Sequence, residues 1–126
     1  MILTVALSLA LGGCGGDGPS PGRQMLAGYL VVGNEVFAFQ RCNSPVLIWV
    51  DVQGNEPGLD KLSGVLEPSC ANCPAVAFVE LDAVVSDQCP CGHLGKYSQE
   101  LVVKQVWSAS ATPPAGCPHV EPHYPP

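Results

Sequence analysis

Apolar residues recur along the chain in short runs separated by turn-forming residues, and five of these runs predict β-strands. The first two runs flank Gly33-Asn34, a dipeptide that suits a two-residue hairpin turn with positive φ. The third run is almost continuously apolar, which predicts a central, well-buried strand around Trp49. Trp107 closes the fifth run, and both tryptophans are predicted to lie in the core. The predicted strands are residues 25–32, 35–41, 46–52, 75–85 and 99–107.

The segments between these runs carry other patterns. Residues 53–69 are rich in glycine and proline, but Leu59, Leu62 and Leu66 follow a helical spacing that predicts one or two helical turns. Residues 87–96 predict a loop. From residue 109 the chain is proline-rich and has no apolar periodicity, which predicts an irregular tail.

Five strands with a short helix between the third and the fourth are the inventory of an OB-type barrel. We therefore predict an all-β fold, a small five-stranded OB-like barrel at residues 25–108 with a proline-rich tail at residues 109–126. Strand count alone fits a small sandwich equally well, so the sandwich stays open as an alternative.

The first 11 residues are apolar and uncharged, a run too short to span a bilayer but typical of the apolar part of a signal peptide. Leu11-Gly12-Gly13-Cys14 follows and resembles the lipobox of bacterial lipoproteins. The resemblance implies that residues 1–13 are removed as a signal peptide and that Cys14 carries the lipid. The first charge is Asp17, whereas signal peptides usually open with Lys or Arg. The alternative is a short apolar core helix, which the glycines would end abruptly.

Residues 14–24 are mostly Gly, Pro and Ser, which predicts a flexible tether between the lipid and the barrel. The lipoprotein resemblance also implies a location in the cell envelope. In such proteins an Asp directly after the lipid-bearing Cys favours the inner membrane, and this chain has Gly15 there. We therefore expect the outer membrane, at its periplasmic face or at the cell surface, with a protein partner left open.

Charge narrows the classes of partner. The chain has five basic and 11 acidic residues, a net charge of −6, which argues against nucleic-acid binding. It also argues against electrostatic docking on anionic lipid, so the N-terminal lipid is expected to carry membrane attachment. The 13 prolines and 14 glycines favour a β-fold with many turns.

Seven cysteines leave six for the domain once Cys14 is assigned to the lipid, and an even number in an exported domain predicts disulfides. Their pairing stays open at this point. The six disulfide candidates are Cys42, Cys70, Cys73, Cys89, Cys91 and Cys117.

The cysteines and the histidines near them could also serve two functions other than structural disulfides. A copper or zinc site could form, because paired thiolates with nearby imidazoles suit these metals. A thiol–disulfide redox role is the other alternative, although no helix is predicted after the C-x-x-C as redox motifs of this kind require. The candidate metal ligands are Cys70, Cys73, Cys89, Cys91, His93, His119 and His123.

The sequence contains no H-E-x-x-H or phosphate-loop motif. We therefore expect a non-enzymatic envelope lipoprotein whose domain is a binding or structural module without a cofactor.

A more diffuse resemblance covers about residues 26–107. The pattern is similar to small OB-fold modules of bacterial envelope lipoproteins, such as the C-terminal domain of the copper-resistance and surface-sensing lipoprotein family. The resemblance implies an OB fold and a weak link to copper homeostasis or envelope-stress signalling. It rests on Gly28-Tyr29, Gly33-Asn34-Glu35-Val36, Phe39-Gln40-Arg41-Cys42, Trp49-Val50 and residues 76–80 and 101–106.

Overall fold

A computed structural model describes residues 22–126 of the chain. The predicted signal peptide, Cys14 and most of the predicted tether lie outside these residues. The strands are β1 (Arg23–Gly33), β2 (Val36–Arg41), β3 (Ile48–Asp51), β4 (Ala75–Ser86) and β5 (Glu100–Ser110). Two short 3₁₀ turns, Leu59–Leu62 and His93–Gly95, are the helical elements of this part of the chain.

The five strands form one sheet that closes in a ring in the order β1-β2-β3-β5-β4. β1 pairs antiparallel with both β2 and β4, and β4 pairs antiparallel with β5. β2 and β3 are antiparallel, whereas β3 and β5 are parallel. The predicted mostly-β fold with five strands is confirmed, as is the short helical turn between the third and fourth strands. The five strands form one closed sheet and not the two facing sheets of the sandwich alternative.

Several predicted boundaries were wrong by a few residues. β1 begins at Arg23, two residues inside the predicted tether, because it pairs there with the far end of β4. β5 continues to Ser110, two residues into the predicted tail. The hairpin turn is also shifted by one residue: Gly33 pairs with Val36, so the turn is Asn34-Glu35 and Glu35 carries the positive φ of 61°.

Apolar side chains are buried on both sides of the sheet near β1, β2 and β3. Strand alternation sends one set of residues to the interior of the ring and the other set to its outer face. The interior holds the main core, which includes Leu30, Phe39 and Leu81. A second cluster on the outer face contains Val31, Ala38, Leu47 and Tyr97. Burial on both faces explains the nearly continuous apolar runs in the sequence.

The proline-rich tail packs on that outer face. Cys117 is 4% exposed and is bonded to Cys42 at the end of β2. The buried phenol of Tyr29 donates a hydrogen bond to the Cys117 carbonyl. Gln40 donates from Nε2 to the Val120 carbonyl at 2.8 Å, which satisfies a side chain only 1% exposed. The tail has no apolar face of its own, and polar contacts with the sheet help to hold it in place.

Two irregularities in the pairing of β5 with β4 turn side chains outward. Leu81 pairs with Val106 and Glu80 with Ser108, so Trp107 is an extra residue between the two pairs. Such a bulge re-aims the inserted side chain. Trp107 is 46% exposed, so its predicted core position was wrong.

No helix within residues 22–126 has the length and apolar character needed to cross a membrane.

Candidate functional site

A cleft of about 220 Å³ opens between the β1–β2 turn, the β4–β5 connection and the end of the tail. We call it the hairpin cleft. Tyr124 lines this cleft and two adjoining clefts of about 330 and 310 Å³, so it stands where all three meet. The hairpin cleft is lined by Asn34, Glu35, Val36, His93, Leu94, Lys96, Tyr97, Tyr124 and Pro125.

The β4–β5 connection is held on the sheet by a close approach of its backbone. Gly92 has φ +74°, and its backbone lies so close to the Trp49 ring that a Cβ would overlap the indole. Cys91 and Tyr97 exchange two backbone hydrogen bonds of 3.1 Å, which closes the base of the loop. Tyr97 in turn packs on Trp49 with 5.1 Å between the ring centroids. The loop between Cys91 and Tyr97 is therefore fixed at its base and projects its tip toward the hairpin turn.

Polar side chains from two loops meet in the cleft. His93 Nε2 lies 3.4 Å from Glu35 Oε2, and the side chains are 37% and 74% exposed. Lys96 adds an ammonium group to the lining. A pair this exposed contributes little to stability, since water and salt screen it.

Two residues of the hairpin cleft have an unfavourable backbone conformation. Glu35 and Leu94 have φ values of 61° and 57°, and among the described non-glycine residues only Asn43 shares this left-handed conformation. A residue with a Cβ incurs roughly 1–2 kcal/mol there. Leu94 also exposes 74% of its surface, so burial does not compensate. Backbone strain of this kind concentrates at functional sites.

The tyrosines of the cleft are neutral hydrogen-bonding groups. Burial, and next the neighbouring Tyr124 phenol, raise the pKa of Tyr97. Burial, and then the Glu121 charge, raise the pKa of Tyr124. Tyr124 is still 47% exposed, so about half of its surface is accessible to solvent.

The six cysteines form three pairs at disulfide distance, which settles the pairing that the sequence left open. Cys42–Cys117 joins residues 75 positions apart, whereas the other two pairs are local. The Cα–Cα separations are 4.9 Å for Cys42–Cys117, 5.0 Å for Cys70–Cys73 and 4.7 Å for Cys89–Cys91.

The candidate metal ligands do not come together. The Cys70–Cys73 pair precedes β4, and the Cys89–Cys91 pair lies in the β4–β5 connection. His119 contacts Gln40 Oε1 at 3.0 Å and packs against the Tyr29 ring, whereas His93 lies beside Glu35. His123 forms a backbone bridge with Val46. In the part of the chain that the structure describes, no three or more His, Cys, Asp or Glu residues are placed to hold a metal ion.

The redox alternative depends on the element that comes after the C-x-x-C. Pro74 and then β4 follow Cys73, so the cysteines precede a strand rather than the helix N-terminus that lowers a thiol pKa.

Local sequence patterns identify His93 only as a candidate metal ligand beside cysteines, whereas the structure places it beside Glu35. They do not identify the other residues of the cleft. They predict Glu35 only as part of a hairpin strand, and Tyr124 only as part of an irregular tail. No local pattern connects residues 35, 94 and 124, because the strand order and the path of the tail bring them together. The one signal in the sequence is Gly33-Asn34, which predicts a turn directly before Glu35.

Neither a protein family, a curated protein nor a solved structure matches this chain. The similarity to the copper-resistance and surface-sensing lipoproteins stays a prediction.

Proposed function

We propose that the protein is a lipid-anchored lipoprotein of the bacterial envelope, and that its domain binds a ligand in the hairpin cleft. The observation that carries the binding role is the unfavourable backbone at Glu35 and Leu94. These residues lie on two loops far apart in sequence and line one cleft. Selection for stability alone would place glycine at both positions.

The strand order supports an OB-type module as the architecture. The ring β1-β2-β3-β5-β4, with β3 parallel to β5 and a helical turn before β4, is the arrangement expected of that fold. OB folds bind oligonucleotides and oligosaccharides with the loops that follow β1 and β4. The hairpin cleft lies between these two loops.

Charge and side-chain chemistry favour an oligosaccharide over an oligonucleotide. The net charge of −6 repels a phosphate backbone. The half-exposed Tyr124 ring offers an apolar face for stacking on a sugar, and Glu35, Asn34 and Lys96 offer hydrogen bonds to hydroxyl and acetamido groups. We therefore propose an envelope glycan that contains N-acetylhexosamine as the ligand class.

Binding is favoured over catalysis by the exposure of the acidic group. Catalytic carboxylic acids are tuned by burial and by fixed neighbours. The Glu35 side chain is 74% exposed, and its contact is a loose 3.4 Å approach to His93. Such a carboxylate suits recognition of hydroxyl groups.

The site lies at the opposite end of β1 from the proposed anchor. β1 begins at Arg23, nine positions after Cys14, and ends at Gly33 beside the cleft. Ten steps along a strand cover roughly 33 Å. The end of β1 that the proposed tether reaches and the proposed site are therefore separated by the length of the strand.

The binding role is tested by titrating isotope-labelled protein with chito-oligosaccharides and following backbone amide shifts. We expect the largest shifts at Glu35, Leu94 and Tyr124. In the variant Leu94→Gly the free energy of unfolding should stay the same or rise by up to about 1 kcal/mol, because the left-handed conformation suits glycine. The same variant should bind at least about tenfold more weakly, a change of roughly 1.4 kcal/mol.

Asn43→Gly is the matched control, since Asn43 has φ 60° and does not line the hairpin cleft. It should keep full affinity. Loss of stability in Leu94→Gly with unchanged affinity would contradict the proposal, as would amide shifts confined to residues outside the cleft.

A further inference from the structure

The outer face of β1, β4 and β5 carries exposed apolar side chains beside the start of β1. Arg23, Val84 and Val102 form one cross-strand row, and Met25 pairs with Asp82 in the next row. The two bulges of β5 insert outward residues into this surface. We call it the bulge face and define it by Met25, Val84, Val102, Lys104 and Trp107.

Met25 and Trp107 dominate the bulge face. They are 60% and 46% exposed, and they belong to the few large apolar residues that the described chain leaves open to water. Their backbones lie on β1 and β5, on either side of β4, and neighbouring strands are about 4.8 Å apart. The two side chains therefore flank a strip of β4 roughly 10 Å wide.

The acidic residues of that strip are already engaged. Arg23 donates from Nη2 to Asp82 Oδ2 at 3.0 Å. Ser108 donates from Oγ to Glu80 Oε1 at 3.0 Å. In a chain of net charge −6, this face is close to neutral, because Lys104 is exposed and adds a positive charge. A nearly neutral surface with two protruding apolar side chains and an exposed lysine can approach a lipid interface that the rest of the molecule avoids.

We propose that the bulge face docks on the lipid–water interface of the membrane that holds the anchor, with Trp107 and Met25 inserted at headgroup level. This inference rests on the proposed lipid at Cys14. An extended chain of nine residues reaches at most roughly 30 Å, so the bilayer lies within that distance of Arg23 at the edge of this face. Tryptophan favours the membrane interface, and a lysine chain extends its ammonium group to lipid phosphates.

The tether makes a weak contact effective. A lipid-anchored domain meets the bilayer at a high effective concentration. Docking can therefore occur even when the free domain would bind the bilayer too weakly to stay on it. Docking through the bulge face also fixes the orientation of the domain. The hairpin cleft lies at the other end of β1 and is not part of the docked face.

The test uses the acylated full chain in phosphatidylcholine vesicles with brominated acyl chains, which quench tryptophan on contact. Flotation with the vesicles reports anchoring, and quenching reports docking. The emission of Trp107 is obtained by subtracting the emission of the Trp107→Phe variant from that of the wild type. We expect about half of this emission to be quenched. Trp49 should stay unquenched, because it packs beneath the β4–β5 connection. Raising the salt to about 0.5 M should remove less than about a quarter of the quenching, since salt screens the Lys104 contact but not the apolar contacts of Trp107 and Met25.

Met25→Ser is the second variant and should reduce quenching of Trp107 at least about twofold without changing flotation. The matched control Leu94→Ser removes an exposed leucine from the hairpin cleft and should leave quenching unchanged. Chains that float with unquenched Trp107 would overturn the docking and leave the anchor in place. Wild-type chains that fail to float, as Cys14→Ser should, would overturn both.

Discussion

Replacing Cys42 and Cys117 together with alanine is expected to lower the free energy of unfolding by about 4.5 kcal/mol. The bond closes a loop of 75 positions, and the loss of loop entropy in the unfolded chain gives a stabilisation of this size. Domains of this length are stable by roughly 5–15 kcal/mol in all, so the variant should be close to unfolding at 37 °C. Urea denaturation of the wild type and of the double variant measures the difference.

The local pairs provide the matched control. Cys89 and Cys91 are two positions apart, and Cys70 and Cys73 are three apart, so each bond removes little entropy from the unfolded chain. Alanine at both members of either pair should reduce stability by less than about 2 kcal/mol. Equal losses for all three pairs would contradict the assignment of Cys42–Cys117 as the main covalent support.

The long-range bond also positions the tail. Cys117 is buried beside Tyr29, whose phenol stays protonated because burial raises its pKa. Without the bond, this stretch is held on the sheet by non-covalent contacts alone, among them those of Gln40 with His119 and Val120. We therefore expect faster amide exchange at residues 117–124 in the double variant, and a hairpin cleft without its Tyr124 wall.

Gly28→Ala is expected to lower the free energy of unfolding by about 3 kcal/mol, the second largest effect. Gly28 pairs with both Arg41 and Val79, at a point where three strands run side by side. A Cβ there would overlap the backbone carbonyl of Gln40 and press on the Phe39 ring. The backbone of two paired strands cannot move aside as a flexible side chain can. The loss of stability should therefore lie at the upper end of the range of about 1–3 kcal/mol that is typical of overpacking substitutions. Denaturant unfolding measures it.

Gly116→Ala is the control for this substitution. A Cβ at Gly116 would have no neighbour within 4 Å, and its φ is not in the left-handed region. The substitution should change stability by less than about 0.5 kcal/mol. A similar loss in both variants would contradict the close approach of β1 to β2.

The strands were predictable because their side chains alternate or stay apolar over five or more residues. Phe37 and Phe39 in β2, and the apolar positions of β4, report burial directly. The limits of the strands were less predictable, since pairing partners far along the chain set them. β1 starts at Arg23 because Val84 is available to pair with it, and no local feature of residues 22–25 indicates this.

The hairpin cleft could not be predicted from local patterns. Its lining comes from residues about 60 and 90 positions apart in the chain, brought together by the ring of strands and by the Cys42–Cys117 bond. Trp107 was misplaced for a related reason. A bulge shifts the inside–outside alternation by one residue, and its position depends on the partner strand.

The intact mass of the protein, extracted from bacterial membranes with detergent, tests most directly whether the chain is a lipid-anchored, disulfide-bonded lipoprotein. We predict a chain that begins at Cys14, carries a diacylglyceryl group and fatty acid, and lacks six protons for three disulfides, with no bound metal. A chain that retains residues 1–13 with an unmodified Cys14, or one with free thiols and zinc or copper, would contradict it.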